Sequence, residues 1–176
     1  MSDFSNVPID FESIPQAEYV DFLPINRKYL GIKIINDIFL WILLLLGIVG
    51  FKMFSRKPIS FLNDYYYYFI GAIGFLCLLT VLLDVLGFQW KGYVLREKDV
   101  IYRTGLIFRK IVHIPYNRIQ HAEVNQGVLE RALSLAKLKI FTAGGSRSDL
   151  NIPGLLHDDA LRMKSFILKK TGEDEY

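Results

Sequence analysis

Hydrophobic and polar positions change rhythm twice along this chain. Up to about residue 22 no period is sustained, and Pro8 and Pro15 break any helix. Two nearly solid apolar runs follow. "IFLWILLLLGIVGF" (Ile38–Phe51) is uncharged for 14 residues, short of the roughly 20 that cross a bilayer. It reaches that length if Lys52 snorkels and "YLGIKIIND" (Tyr29–Asp37) supplies the first turns at the interface. "YYYYFIGAIGFLCLLTVLL" (Tyr65–Leu83) is uncharged for 19 residues, with tyrosines at one end and Trp90 near the other, where aromatic belts sit. The short connection "KMFSRKPISFLND" predicts an antiparallel hairpin with spans at about 34–54 and 65–86. Gly71 and Gly74 in "GAIG" permit a close helix contact or simply face lipid.

Beyond Trp90 the period shortens. "GYVLREKDVIYRTG" predicts strand, turn and strand, with Glu97-Lys98-Asp99 turning. "LIFRKIVHIP" predicts a further strand stopped by Pro115, and "RIQHAEV" (Arg118–Val124) another. "VLERALSLA" (Val128–Ala136) has helix formers but is too short to stand alone. "KLKIFT" alternates, with Leu138, Ile140 and Thr142 on one face. After the "AGGSRSD" loop, "LNIP" is a short strand and "HDDALRMKSFILKKTG" an amphipathic helix. Leu156, Ala160, Met163 and Ile167 share its apolar face, and Gly172 stops it. The expected fold is α+β: a two-helix transmembrane hairpin, then a curved, partly open antiparallel sheet capped by the last helix. The chain divides into an acidic N-terminal segment (1–28), the hairpin (29–88), the β-rich domain (89–172) and an acidic tail (173–176).

Charge adds an asymmetry that the net value of +3 conceals. Residues 1–26 hold five acidic residues (Asp3, Asp10, Glu12, Glu18, Asp21) and no Lys or Arg, whereas 89–172 holds 15 Lys and Arg against 7 Asp and Glu. A basic domain beside a membrane predicts an anionic surface or partner. The flanks of the hairpin carry Arg27, Lys28, Lys33, Lys91, Arg96, Lys98 and Arg103, against Lys52, Arg56 and Lys57 in the connection. That bias predicts both termini in the cytoplasm. No basic n-region precedes an early apolar run, so a cleaved signal peptide is not expected. Asp37 and Asp84 fall near the ends of the spans, where pairing with interfacial cations is expected.

A single cysteine, Cys77, excludes a disulfide within the chain and a cysteine zinc site. His113, His121 and His157 lack ligand spacing, and no nucleophile–base or paired-carboxylate arrangement is visible. No enzyme activity, metal or cofactor is expected. No nucleic-acid reader motif appears either.

The string "RTGLIFRK", then "IPYNRIQHAEVNQGVLERALSLAKLKIFTAGG", then "IPGL", resembles the bacterial pleckstrin-homology-like (PH-like) domains of the membrane-flanked, YdbS-like type. The likeness covers roughly residues 90–170 in sequence and the hairpin in architecture. It implies a PH-like fold in a protein of the bacterial cytoplasmic membrane, and it supplies no settled activity. Family members often carry Ser or Asp before the last helix, where this chain has Leu156-His157.

Candidate binding residues are Arg103, Arg109, Lys110, Arg118, Gln120, Gln126, Lys137, Lys139 and Arg147. Arg118, Gln120 and Gln126 either line a groove for a headgroup or peptide, or bond to backbone around the short helix. "TAGGS" either offers N–H groups to a phosphate or is a plain strand connection. The basic set either holds the domain on anionic lipid, at about 1 kcal/mol per residue, or is a solvated face. Two roles are expected: adaptor for a protein partner, such as a related membrane-flanked PH-like protein or a second copy, or module for anionic lipid headgroups. A third is accessory subunit of a transport or envelope-stress complex. The acidic N-terminal segment could cover the basic domain.

Overall fold

The computed structural model describes residues 20–54, 60–143 and 149–172. The acidic residues from Asp3 to Glu18, the connection's Arg56 and Lys57, most of the "TAGGS" loop with Arg147, and residues 173–176 lie outside them.

Helices α1 (Lys28–Phe54) and α2 (Ser60–Phe88) form the hairpin. Both are long and apolar enough to cross a membrane. At 1.5 Å per residue α1 is about 40 Å long, more than the hydrocarbon thickness of about 30 Å, so its ends project. The helices are tied by Trp41, whose indole N–H donates to Thr80 Oγ1 at 3.1 Å, and by the ion pair Lys33–Asp84. Lys52 lies 3.8 Å over the Tyr66 ring. Gly71 and Gly74 have open space around them, so neither is used for this contact.

Two antiparallel sheets follow. β1 (Leu23–Pro24), β2 (Gly92–Leu95), β3 (Asp99–Thr104) and β4 (Lys110–Pro115) lie in that order, and β5 (Ile119–Asn125), β6 (Leu135–Thr142) and β7 (Leu150–Leu156) form the second sheet. No closed barrel forms among the described residues. Short helix α3 (Val128–Ala132) joins β5 to β6, and α4 (His157–Thr171) closes the domain. The core joins all three layers: Val100, Tyr102 and Ile114, then Leu138, Ile140 and Ile152, then Ala160, Met163 and Ile167. Tyr116, between β4 and β5, is buried among them. Its hydroxyl donates to the Arg96 carbonyl at 2.8 Å, and burial, then Asp99, push its pKa up to about 12.

Three sequence expectations shift. "LIFRKIVHIP" pairs only from Lys110, because Gly105–Arg109 makes the turn back from β3. Gly105 adopts φ +99°, and a Cβ there would lie 1.9 Å from the Phe108 carbonyl oxygen. The helix at Val128 ends after five residues: Ser134, at φ 55°, turns the chain, and Leu135 and Ala136 are then buried as strand opposite Leu156 and Leu155. Leu156 is not on the apolar face of α4. It is the last strand residue and the helix N-cap, without a side-chain cap bond. The His157 N–H instead donates to the Ser134 carbonyl at 3.0 Å. Gly172 ends the helix in the left-handed region, as its position predicts.

Residues 23–26, just before α1, are part of the domain. Leu23 and Pro24 add an edge strand opposite Tyr93 and Gly92, a place where proline's missing N–H costs little. Ile25 is buried. Asn26 then does two things. Its side-chain oxygen accepts the Lys28 N–H at 3.0 Å, satisfying an orphan donor of α1, and its own N–H donates to the Gly154 carbonyl at 2.9 Å.

Candidate functional site

The domain sits on the ends of the hairpin through a seat of several contacts. Gly154 of β7 adopts φ +68°, and a Cβ there would lie 2.7 Å from the Tyr29 Cβ, so only glycine allows α1 so close. Lys91 reaches 5.7 Å over the Tyr29 ring. Burial, then the neighbouring Lys33 charge, pull the Lys91 pKa down. On the far side Leu106 of the β3–β4 turn lies against Gly87 near the end of α2.

Beside this seat three of the candidate residues come together. Strand alternation puts Val100 and Tyr102 into the core and Arg103 on the opposite face of β3. Arg103 pairs with Gly92 on one side and Ile111 on the other. Glycine at 92 leaves room for Phe22, whose Cβ is only 3.0 Å from where a Cβ at 92 would be. The Arg103 guanidinium stacks 4.3 Å from the Phe22 ring centroid, and Arg109 stacks 3.8 Å from Trp90. With Lys110 these residues line a cleft of about 260 Å³. Among the described residues no carboxylate pairs with Arg103, Arg109 or Lys110, and the buried Arg103 Nε has no hydrogen-bond partner. Just outside the cleft, Ile107 and Phe108 are 71% and 88% exposed.

The other candidates have other fates. Gln126 donates through its side chain to the Leu135 carbonyl at 2.7 Å, bonding to backbone around the short helix. Lys137 pairs with Glu130 at 2.8 Å. Glu130, 3% exposed, also accepts the Gly127 N–H at 2.7 Å and so caps α3. Arg118 and Gln120 are exposed, and Lys139 is half-buried on β6; none of them lines the cleft. Arg147 lies outside the described residues. Sequence reasoning missed Phe22 and Trp90 as cleft residues. Trp90 carried a signal as an interfacial aromatic, but only the β1 register brings Phe22 alongside. Among the described residues no three of His, Cys, Asp and Glu come together as a metal ion would need.

A family model described as a bacterial PH domain matches residues 37–171. UPF0699 transmembrane protein YdbT of Bacillus subtilis (strain 168) is 29% identical over 108 residues, 60% of this chain and 22% of that protein. UPF0699 transmembrane protein YdbS of the same organism is 28% identical over 115 residues, 62% of this chain and 70% of that protein. The chain thus spans about a fifth of the first relative's length and about seven-tenths of the second's. No solved structure matches it.

Proposed function

The chain belongs to the bacterial PH domain family, and from that premise we propose that it is a non-enzymatic adaptor. The hairpin anchors it in the cytoplasmic membrane with both termini in the cytoplasm, and the PH-like domain offers a fixed surface to a protein partner. The observation that supports this reading is the seat: Asn26, Tyr29 and Gly154 on one side, Gly87 and Leu106 on the other. A domain on a loose tether samples many orientations. One seated on its own anchor holds its free surfaces at a set height and angle, which lowers the ordering cost of docking in the membrane plane.

The surface best suited to a protein is the outer edge of β4, which among the described residues pairs only with β3. An unpaired edge accepts an extended segment through main-chain hydrogen bonds. The partner would be a related membrane-flanked PH-like protein or a second copy of this chain. A photo-crosslinking residue at exposed His113 of β4 should give a discrete adduct in native membranes, and one at exposed Arg162 of α4 should not. Equal yields at both positions, or none at either, would remove the adaptor reading. Anionic lipid is the second reading, favoured by the cleft arginines, which have no carboxylate partner among the described residues.

A further inference from the structure

We propose that the Arg103–Arg109–Lys110 cleft binds the phosphate of an anionic phospholipid in the leaflet that the domain faces, with Ile107 and Phe108 lodged among the lipid chains. The inference rests on the membrane seat described above and gives that surface a ligand.

Three observations carry it. First, the cleft is positive, and none of the described carboxylates neutralises it. Two guanidinium groups and an ammonium line about 260 Å³ with no carboxylate partner among the described residues. Like charges gathered this way repel one another, and an anion between them removes the repulsion.

Second, the arginines are pre-oriented. The guanidinium carbon of each sits over an aromatic ring, Arg103's 4.3 Å from the Phe22 centroid and Arg109's 3.8 Å from the Trp90 centroid. A cation held over a ring keeps its position, and a guanidinium so held presents several N–H donors suited to phosphate oxygens. Among the described residues Arg103 Nε is buried without a hydrogen-bond partner, the state that a bound acceptor would relieve.

Third, the place selects a lipid over a soluble phosphate. Trp90 lies two residues beyond the end of α2, and Leu106 rests against Gly87 of that helix. Ile107 and Phe108, at the turn between the two basic strand ends, are among the most exposed large apolar residues of the domain. An apolar tip with a basic collar, placed at the emergence point of a membrane helix, suits chains below and headgroups around it.

The test uses the full chain in nanodiscs, with Trp41→Phe so that emission reports Trp90. Phosphatidylglycerol is raised in a phosphatidylcholine background, at about 0.1 and about 0.5 M salt. Trp90 emission should titrate saturably and persist at the higher salt. Arg103→Ala with Arg109→Ala should raise the phosphatidylglycerol fraction needed by at least about tenfold, since two charge-assisted contacts are lost. Arg118→Ala with Lys139→Ala, outside the cleft, should change it less than about twofold. Arg109→Lys keeps the charge and loses the planar fork, and should fall between. Circular dichroism melts of each variant separate lost binding from lost folding. An unchanged titration in the double alanine variant overturns the proposal. So does an equal response to inorganic phosphate in pure phosphatidylcholine discs, which would make the ligand soluble. The seat is tested separately, by a crosslink that does not depend on lipid headgroup binding, so a failed lipid titration with an intact seat rejects the site alone.

Discussion

Replacing Gly154 by valine is expected to cost the domain about 2–4 kcal/mol, roughly half from forcing a β-branched residue into the left-handed region and half from its collision with Tyr29. The backbone at Gly154 holds φ +68°, and an added Cβ would sit 2.7 Å from the Tyr29 Cβ and 2.9 Å from its Cγ. Tyr29 cannot simply swing away, because its helix turn is fixed by Asn26, which caps α1 and bonds to the Gly154 carbonyl. The variant should therefore lose stability and loosen the seat together. Urea unfolding in micelles reads the first, and protease cleavage near Arg27 reads the second. Gly74→Val, where a side chain meets open space, should stay within about 0.5 kcal/mol. If both variants unfold alike, Gly154 is not the contact point described.

Glu130→Ala should cost about 2–3 kcal/mol. The carboxylate is 3% exposed and serves two donors, the Gly127 N–H at 2.7 Å and Lys137 Nζ at 2.8 Å. Removing it leaves both unpaired beside the turn from α3 into β6. The Lys137 side chain is a third exposed and regains water, which keeps the loss below the 3–5 kcal/mol typical of breaking a fully buried pair. Glu130→Gln retains an acceptor for Gly127 and gives up the charge, so about half the loss should remain. Thermal melts of the three proteins check the order. A glutamine variant as damaged as alanine would mean that the ion pair, not the cap, carries the effect.

These two residues also mark where sequence reading ends. The hairpin was legible because solid hydrocarbon over that length has few other fates. Helix α4 was legible because Ala160, Met163 and Ile167 repeat at helical spacing between an acidic start and a glycine stop. The strands were legible wherever alternation ran clean, as in Leu138 and Ile140. What could not be read was anything that depends on register between distant segments. Residues 20–27 read as the end of the acidic N-terminal segment. That Leu23 and Pro24 extend a sheet, and that Asn26 meets Gly154, follows only once β2 and β7 are in place. The site divides in the same way. Arg109 and Lys137 are both cations in the β-rich half, yet one lies over Trp90 without an acidic partner among the described residues and the other pairs with the buried Glu130. Residue type gave the charge, and tertiary contact decided its use. Gln126 illustrates a choice that sequence left open, between groove and backbone bond, and geometry puts it on the backbone.

The seat places the PH-like domain on the end of its own membrane hairpin. Its most direct test is a pair of cysteines at Gly87 and Leu106, with Cys77→Ala so that they are the chain's only thiols. A Cβ at 87 would lie 3.4 Å from that of residue 106, at the short edge of the roughly 3.5–4.5 Å that a disulfide spans. In isolated membranes treated with mild oxidant, both thiols should disappear from maleimide labelling within minutes as an intrachain bond forms. Thiols that stay free, or that join only between separate chains, would contradict the seat and the adaptor reading that rests on it.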